Sequence, residues 1–471
     1  MISVALFTRD LRVHDNPVLH AAAQAGQTVP LFVVDDAIAA AGYVRPNRAR
    51  FLAECLADLD GSLRERGGCL VVRRGDVVEE VRAVAQEVAA EQVHVAADVS
   101  GYAQRRRDAL AAALEEDGRE LVVHDAVVTA VPPGALTPQG RDHFAVFTPY
   151  SRRWAQLRLR HPLDPPRQLS QPRLRAGSVP RAADLCAGDT APDLAPGGES
   201  AARERLDRWA SRARHYAEQH DALAADDTSR LSPYLHFGCL SAAEVVHRVG
   251  TGSAGAEAFV RQVCWRDFHH QVLAARPQAA REDYRGHGDR WRRDDRALHA
   301  WRQGRTGYPI VDTGMRQLLA QGWMHNRARL IVGSFLTKTL YLDWRRGAAH
   351  FLDLLVDGDV ASNQLNWQWI AGTGTDSRPN RVLNPLAQAR RYDPAGDYVR
   401  RYVPELADVA GAAVHEPWRL PDDVRGALDY PGADRGPHRG QAPFPRRPRL
   451  SVAQPMPARV PFRDLVGHTG R

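Results

Sequence analysis

The sequence predicts an α/β layer followed by an all-helical domain, on three observations. Over residues 1–130, short β-branched runs alternate with helical patterns. Beyond residue 200, β signals fade and helical periodicity takes over. Between the two lies a long stretch dominated by Pro, Gly and polar residues. Strands separated by helices pair in parallel through right-handed crossovers, so the first part is a doubly wound, Rossmann-like sheet.

The strand-like runs are ISVALFT (2–8), VPLFVVD (29–35), CLVVRR (69–74), VHVAAD (93–98) and LVVHDAVV (121–128). Helical patterns such as ARFLAECLADLDGSLRERG and VVEEVRAVAQEVAAE fill the gaps. The turn after the first run reads TRDLRVHDNP, so the GxGxxG dinucleotide fingerprint is absent. Residues 131–200 are the expected linker, loosest over HPLDPPRQLSQPRLRAGSVP. The helical domain is expected over 201–420, broken by DDTSRLSP and GDRWRRDD. Over 421–471 the composition is rich in Pro, Gly and Arg, which predicts a disordered tail.

A chain of 471 residues with 44% apolar residues has room for two or three domains and a sizeable core. No apolar run is long enough to span a membrane. The first residues, MISVALFTRDLRVHD, carry charges where a signal peptide needs an apolar stretch, so a cytoplasmic location is expected. The five cysteines show no CxxC and no metal spacing, which fits a reducing compartment and predicts no metal site. The net charge of +7 is uneven: the segment from Gln441 onward carries six arginines and one acid. The remainder is nearly neutral, so any nucleic-acid surface on the folded body must be a local patch.

The polar signals concentrate in the helical half. TSRLSPYLHFG (228–238) puts hydroxyls and an arginine at a helix start, which suits a phosphate or simply an N-cap. GWMHNRAR (322–329) crowds His325, Asn326, Arg327 and Arg329 into one turn. DGDVASNQLNWQWIAGTGTD (357–376) sets three aspartates, four amides and two indoles in one short stretch. Arg329 is the right kind of residue to form an ion pair with Asp357 or Asp359, and a purely structural pair would look the same. No GxSxG, HExxH or Walker loop accompanies these groups. A pocket of amides, arginines and indoles without acid–base machinery suits a cofactor that carries the chemistry itself.

These motifs resemble, in order, those of the DNA photolyase/cryptochrome family. TRDLRVHDNP resembles its N-terminal motif. TSRLSPYLHFG, the WRDF of CWRDFHH, TGYPIVDTGMRQL, GWMHNRAR and DGDVASNQLNWQW resemble its flavin-domain motifs, and the match runs from about residue 2 to 420. The resemblance implies a helical FAD-binding domain and light-dependent repair of cyclobutane pyrimidine dimers in DNA, by a monomer. Tyr216, Thr228, Ser229, Leu231 and Ser232 match positions around the FAD phosphates and ribityl chain. Asn326, Arg329, Asp357, Asp359 and Asn363 match the flavin pocket, with Asn363 beside the flavin N5 of a reduced, anionic FAD. Trp367, Trp344 and Trp291 match a chain that passes electrons to the photoexcited flavin. Gln262, Trp265, Leu330 and Trp369 match the lesion cavity, and Arg327, Arg378 and Arg381 are candidate phosphate contacts beside it.

The chain also departs from the family pattern. Gln262 stands where dimer-repairing relatives commonly have glutamate, and Leu330 where they commonly have methionine. These departures keep a second expectation open, a cryptochrome-type blue-light receptor without repair. Asn326 and Leu330 replace the two histidines of the six-four branch. For a light-harvesting antenna in the α/β layer, Arg48, Asp98 and His236 match contacts of deazaflavin-binding relatives. Ser100 replaces an acid expected there, and deazaflavin is favoured over folate.

Overall fold

The computed structural model describes residues 1–376 and 381–431. Five strands, β1 (Ile2–Phe7), β2 (Gln27–Asp35), β3 (Val71–Gly75), β4 (Gln92–Ala96) and β5 (Glu120–His124), form one parallel sheet in the order β3-β2-β1-β4-β5. The order reverses at β1, whose neighbours are β2 and β4, as in doubly wound folds. Central-strand residues such as Val4, Ala5, Val29 and Leu31 are fully buried, which is why these runs are apolar on both faces. The fifth run is shorter than its sequence suggests. Ala126 takes a left-handed φ of 54° and ends the strand. Val127 and Val128 then turn into the core instead of the sheet.

The segment after the sheet is largely irregular, yet it is tied down. Thr28 N–H donates to the Ser170 carbonyl, and Val72 N–H to that of Ala176. The linker thus uses backbone groups that the β2 and β3 edges leave open.

Five helices matter for the site: α1 (Pro46–Arg64), α2 (Phe147–Trp154), α3 (Ala254–Ala275), α4 (Trp344–Leu354) and α5 (Val360–Ala371). Helix α3 starts at Ser253, whose hydroxyl accepts from Ala256 N–H, and stops before Pro277. Helix α5 is capped by Asp359, which accepts from Ser362 N–H, and ends at Gly372 with φ 79°. One cluster, including Phe7, Phe51, Phe237 and Phe268, packs the sheet's inner face against α1 and α3. A second cluster, with Trp301, Met315, Phe335 and Trp367, fills the far half of the helical region.

The expected tail begins as ordered chain. Residues Asp422–Ala427 form a short helix, and the Tyr430 hydroxyl donates to the buried Asp312 carboxylate. Residues 432–471 lie outside the described residues. No described helix is long and apolar enough to cross a membrane.

Candidate functional site

A cavity of about 360 Å³ opens between α3, α5 and the helix starts at Ser232 and Asn326. Helix α3 contributes Gln262, Trp265, Arg266 and His269, spaced as one helical face. Helix α5 contributes Ser362, Asn366 and Trp369, again one face. Ser229, Leu231 and Ser232 come from the TSRLSP turn, and Asn326, Arg329 and Leu330 from the helix after GWMH. The carboxylates Asp357 and Asp359 complete the wall. Segments up to 140 residues apart in sequence therefore converge on one cavity.

Arg329 and Asp357 form a two-pronged pair, with Nη2 2.8 and 3.1 Å from the two carboxylate oxygens. The Arg329 Nε–H also donates to the Met324 carbonyl, which fixes the guanidinium plane. Asp359 takes a different partner. Its Oδ2 lies 2.6 Å from Arg9 Nη2, and His270 Nε2 stands 3.5 Å away. Burial alone would raise the Asp359 carboxyl, but the His270 and Arg9 charges overcome this and hold it well below the usual range. Arg9 also reaches Asp98 at 3.2 Å and the His236 carbonyl at 3.2 Å. The turn after β1 is thus bonded directly to the cavity wall.

The flat rings are held in different ways. Trp265 stacks on Phe147 of α2, with centroids 3.5 Å apart and planes 7° from parallel. Asp267 fixes this stack, because it accepts from Trp154 Nε1 at 2.9 Å and from Val131 N–H at 2.9 Å. Trp369 carries the Arg381 guanidinium 5.4 Å from its ring centre. Trp367 lies behind the cavity, 2% exposed, in a socket made by two glycines. A Cβ on Gly347 would stand 2.3 Å from its ring, and one on Gly333 3.6 Å. Trp344 begins α4, is fully buried, and donates Nε1–H to Asp283 at 2.8 Å. Trp291 is half-buried and packs on Tyr341. Two of the three indoles are therefore buried and Trp291 is partly exposed.

Other expected residues are placed less directly. Tyr216 packs edge-on against Trp209 and Phe259, and Phe259 lines the cavity. Asn363 is buried, and its Nδ2 donates to the Ala348 carbonyl and to Gln364 Oε1, both at 3.1 Å. Arg327 faces Asp221 through three contacts of 2.7–3.0 Å and stacks on Tyr392, so its charge is already matched. Arg378 lies outside the described residues. Arg48 is 3% exposed, and its guanidinium is spent on the carbonyls of Tyr43, Leu352 and Leu355. Asp98, His236 and Tyr43 surround the same layer boundary through Arg9 and the Gly358 carbonyl.

The residues present fit a large polar cofactor. Thr228 Oγ1 and His236 Nδ1 are buried without a hydrogen-bond partner among the described residues. Unmatched buried polar atoms are costly unless a ligand meets them. The hydroxyls of Ser229 and Ser232, the Asn326 amide and the Arg329 guanidinium line the same space. They match the phosphates, ribityl hydroxyls and heteroaromatic edge of a flavin dinucleotide.

Sequence reasoning missed Arg9, Phe147, Arg266, His269 and Asn366. Arg9 sits in TRDLRVHDNP, and its charge in a turn beside a strand end was a signal. Arg266 and His269 follow from α3 periodicity, one and four residues beyond Trp265. Phe147 lies in a segment assigned to a linker, and nothing local marks it as a stacking partner.

Two family models match the chain. One, described as DNA photolyase, covers residues 3–168. The other, described as the FAD binding domain of DNA photolyase, covers residues 259–434. The chain is 59% identical over 434 residues to the deoxyribodipyrimidine photo-lyase of Streptomyces griseus, covering 91% of this chain and 95% of that protein. It is 35% identical over 452 residues to that of Escherichia coli, with 90% and 93% covered. Among solved structures it is similar to a bacterial class III photolyase from Agrobacterium tumefaciens, with a TM-score of 0.84, 32% identity and 92% and 94% coverage. A Synechocystis cryptochrome is equally similar in fold, with a TM-score of 0.84 at 29% identity, covering 92% of this chain and 95% of that one.

Proposed function

The chain belongs to the DNA photolyase family, and from that premise we propose how its own residues divide the work of light-dependent repair of cyclobutane pyrimidine dimers in DNA. It is an enzyme that binds FAD and damaged DNA. One observation carries the division of labour: a single cavity is lined both by two indoles, Trp265 of α3 and Trp369 of α5, and by the Arg329–Asp357 pair. A flat lesion and a charged cofactor can share that space.

Reduced FAD, when bound, supplies on absorbing near-UV or blue light the electron that splits the cyclobutane ring, and it takes the electron back. Thr228, Ser229, Leu231, Ser232 and Tyr216 hold its phosphate and ribityl end through hydroxyls, backbone N–H groups and packing. Arg329, oriented by Asp357, presents a fixed positive charge to the flavin end, which favours a reduced anionic form. Asn326 and Asp359 border the same end, and Asn363 would exchange the Ala348 carbonyl for the flavin N5 edge. Trp265 and Trp369 stack against the exposed lesion, which costs less to unstack than an intact pair. Gln262 is exposed at the cavity mouth and offers a neutral N–H donor at every pH. Leu330 packs against the lesion. Arg381 contacts a phosphate beside Trp369, as would Arg378. Trp367, Trp344 and Trp291 carry electrons inward from the surface. For an antenna, deazaflavin over folate, the contacts are Arg48, Asp98 and His236 at the layer boundary. The working form is a cytoplasmic monomer.

A dimer-containing oligonucleotide, illuminated with the flavin fully reduced, should regain undamaged thymines, and a dark control should not. No repair in light would leave the second reading, a cryptochrome-type blue-light receptor without repair.

A further inference from the structure

His269 is an unusual group to find on this cavity wall. It lines the cavity, is 3% exposed, and its Nε2 has no hydrogen-bond partner among the described residues. It sits one turn beyond Trp265 on α3, with ring centroids 5.6 Å apart. It also faces Asn366 on α5, and both residues border the same space.

The surroundings fix its protonation. Asn366 Nδ2 donates to the Ser362 carbonyl at 2.7 Å, which identifies that atom as the amide nitrogen. The same nitrogen lies 3.5 Å from His269 Nδ1. An amide nitrogen only donates, so Nδ1 is the bare, accepting nitrogen and Nε2 carries the hydrogen. Burial, with the neighbouring His270, pushes the imidazole down to about 3, so the ring is neutral at working pH. A neutral N–H donor with no acceptor among the described residues thus belongs to the wall of a cavity lined by two indoles.

We propose that His269 Nε2–H donates a hydrogen bond to a carbonyl oxygen of a pyrimidinedione ring seated in this cavity. Two sources offer that chemistry, the pyrimidines of the lesion and the dione ring of the flavin. A neutral donor suits either one, because it steadies charge that develops on the oxygen without bringing a competing cation into the pocket. No bond is made or broken at the imidazole. The inference rests on the photolyase reading of the site.

The test compares the flavin-loaded parent with His269→Leu and His269→Gln, after thermal unfolding shows that all three are folded. Leu removes the donor, and Gln restores an N–H of similar reach. If the lesion supplies the carbonyl, His269→Leu weakens binding of a dimer-containing oligonucleotide about five- to tenfold relative to undamaged DNA, and Gln recovers most of it. If the flavin supplies it, lesion binding is unchanged, a flavin carbonyl stretch moves to higher frequency in His269→Leu, and Gln moves it back. Lesion affinity and carbonyl frequencies that both stay as in the parent overturn the inference. So does a loss in His269→Leu that Gln does not recover, because that marks a packing role. A parent that binds flavin but not damaged DNA would instead overturn the repair reading, which separates the two failures.

Discussion

Arg9 Nη2 stands 2.6 Å from Asp359 Oδ2, although 350 residues separate them in the chain. Arg9 follows the first strand, and Asp359 caps the helix that carries Asn363, Trp367 and Trp369. The pair ties the turn after the first strand to the cavity wall, which is proposed to hold the flavin. Arg9→Ala should therefore cost about 3–5 kcal/mol, because it removes the ion-pair partner of Asp98 and leaves the buried Asp359 paired with His270 alone among the described residues. Urea unfolding and flavin content on purification check this. A variant with parental stability and full flavin would show that the contact is dispensable.

Trp367→Phe should slow photoreduction of bound oxidised flavin at least tenfold, and far more than it slows repair by chemically reduced enzyme. Gly347→Ala tests the same indole from its socket. The added Cβ would lie 2.3 Å from Trp367 and 2.5 Å from Leu336. It should cost about 1–3 kcal/mol by overpacking and shift Trp367 fluorescence. Photoreduction at the parental rate in Trp367→Phe would place the electron path elsewhere.

The two described arginines of the DNA assignment should separate cleanly. Arg381 is exposed and lies over Trp369, so Arg381→Ala should weaken DNA binding and reduce its salt slope by about one. Arg327 is held by Asp221, so Arg327→Ala should lower stability and leave the slope alone. Titrations of damaged oligonucleotide at several salt concentrations distinguish them. A reduced slope in Arg327→Ala alone would reverse the assignment.

Gln262→Glu should change the repair yield per photon modestly, without switching activity on or off. The Gln262 side chain is exposed, and its Nε2 makes one long contact of 3.5 Å with the Ala258 carbonyl. It is therefore free to turn to a ligand, and one such hydrogen bond contributes about 1 kcal/mol. The comparison needs fully reduced flavin in both proteins. An inactive parent with an active Glu variant would move the chain to the receptor class.

Stability should fall between pH 7.5 and 5. Burial holds His94, His325 and His350 down to about 4, and His269 to about 3. The unfolded chain takes up these protons near pH 6.5, so their contribution is complete above that value. It is lost as the pH falls toward the folded values. Asp312 works in the opposite direction, because burial raises it to about 6 and its folded form gains a proton first. Burial lowers His124 and His236 as well and raises Asp10, Asp267 and Asp393, so six imidazoles stand against four carboxyls, a net loss read as a lower urea midpoint at pH 5. An equal or higher midpoint would mean that these imidazoles do not stay neutral in the folded protein.

Local pattern alone determined much of this protein. Alternating strands and helices gave the parallel sheet, because side-chain period and crossover handedness are local rules. Resemblance to the family's motifs named most of the cavity wall, Gln262, Trp265 and Trp369 among it, whereas Asn366, three residues before Trp369 on the same helical face, was missed. Tertiary structure decided the rest, because an ion pair or a ring stack depends on distance in space and leaves no trace in spacing. Asp357 and Asp359 are near twins in sequence, yet one meets Arg329 and the other Arg9. Arg327 looked free until Asp221 came within 2.7 Å. Phe147 became a stacking partner only when Asp267 pinned α2 to α3 through Trp154.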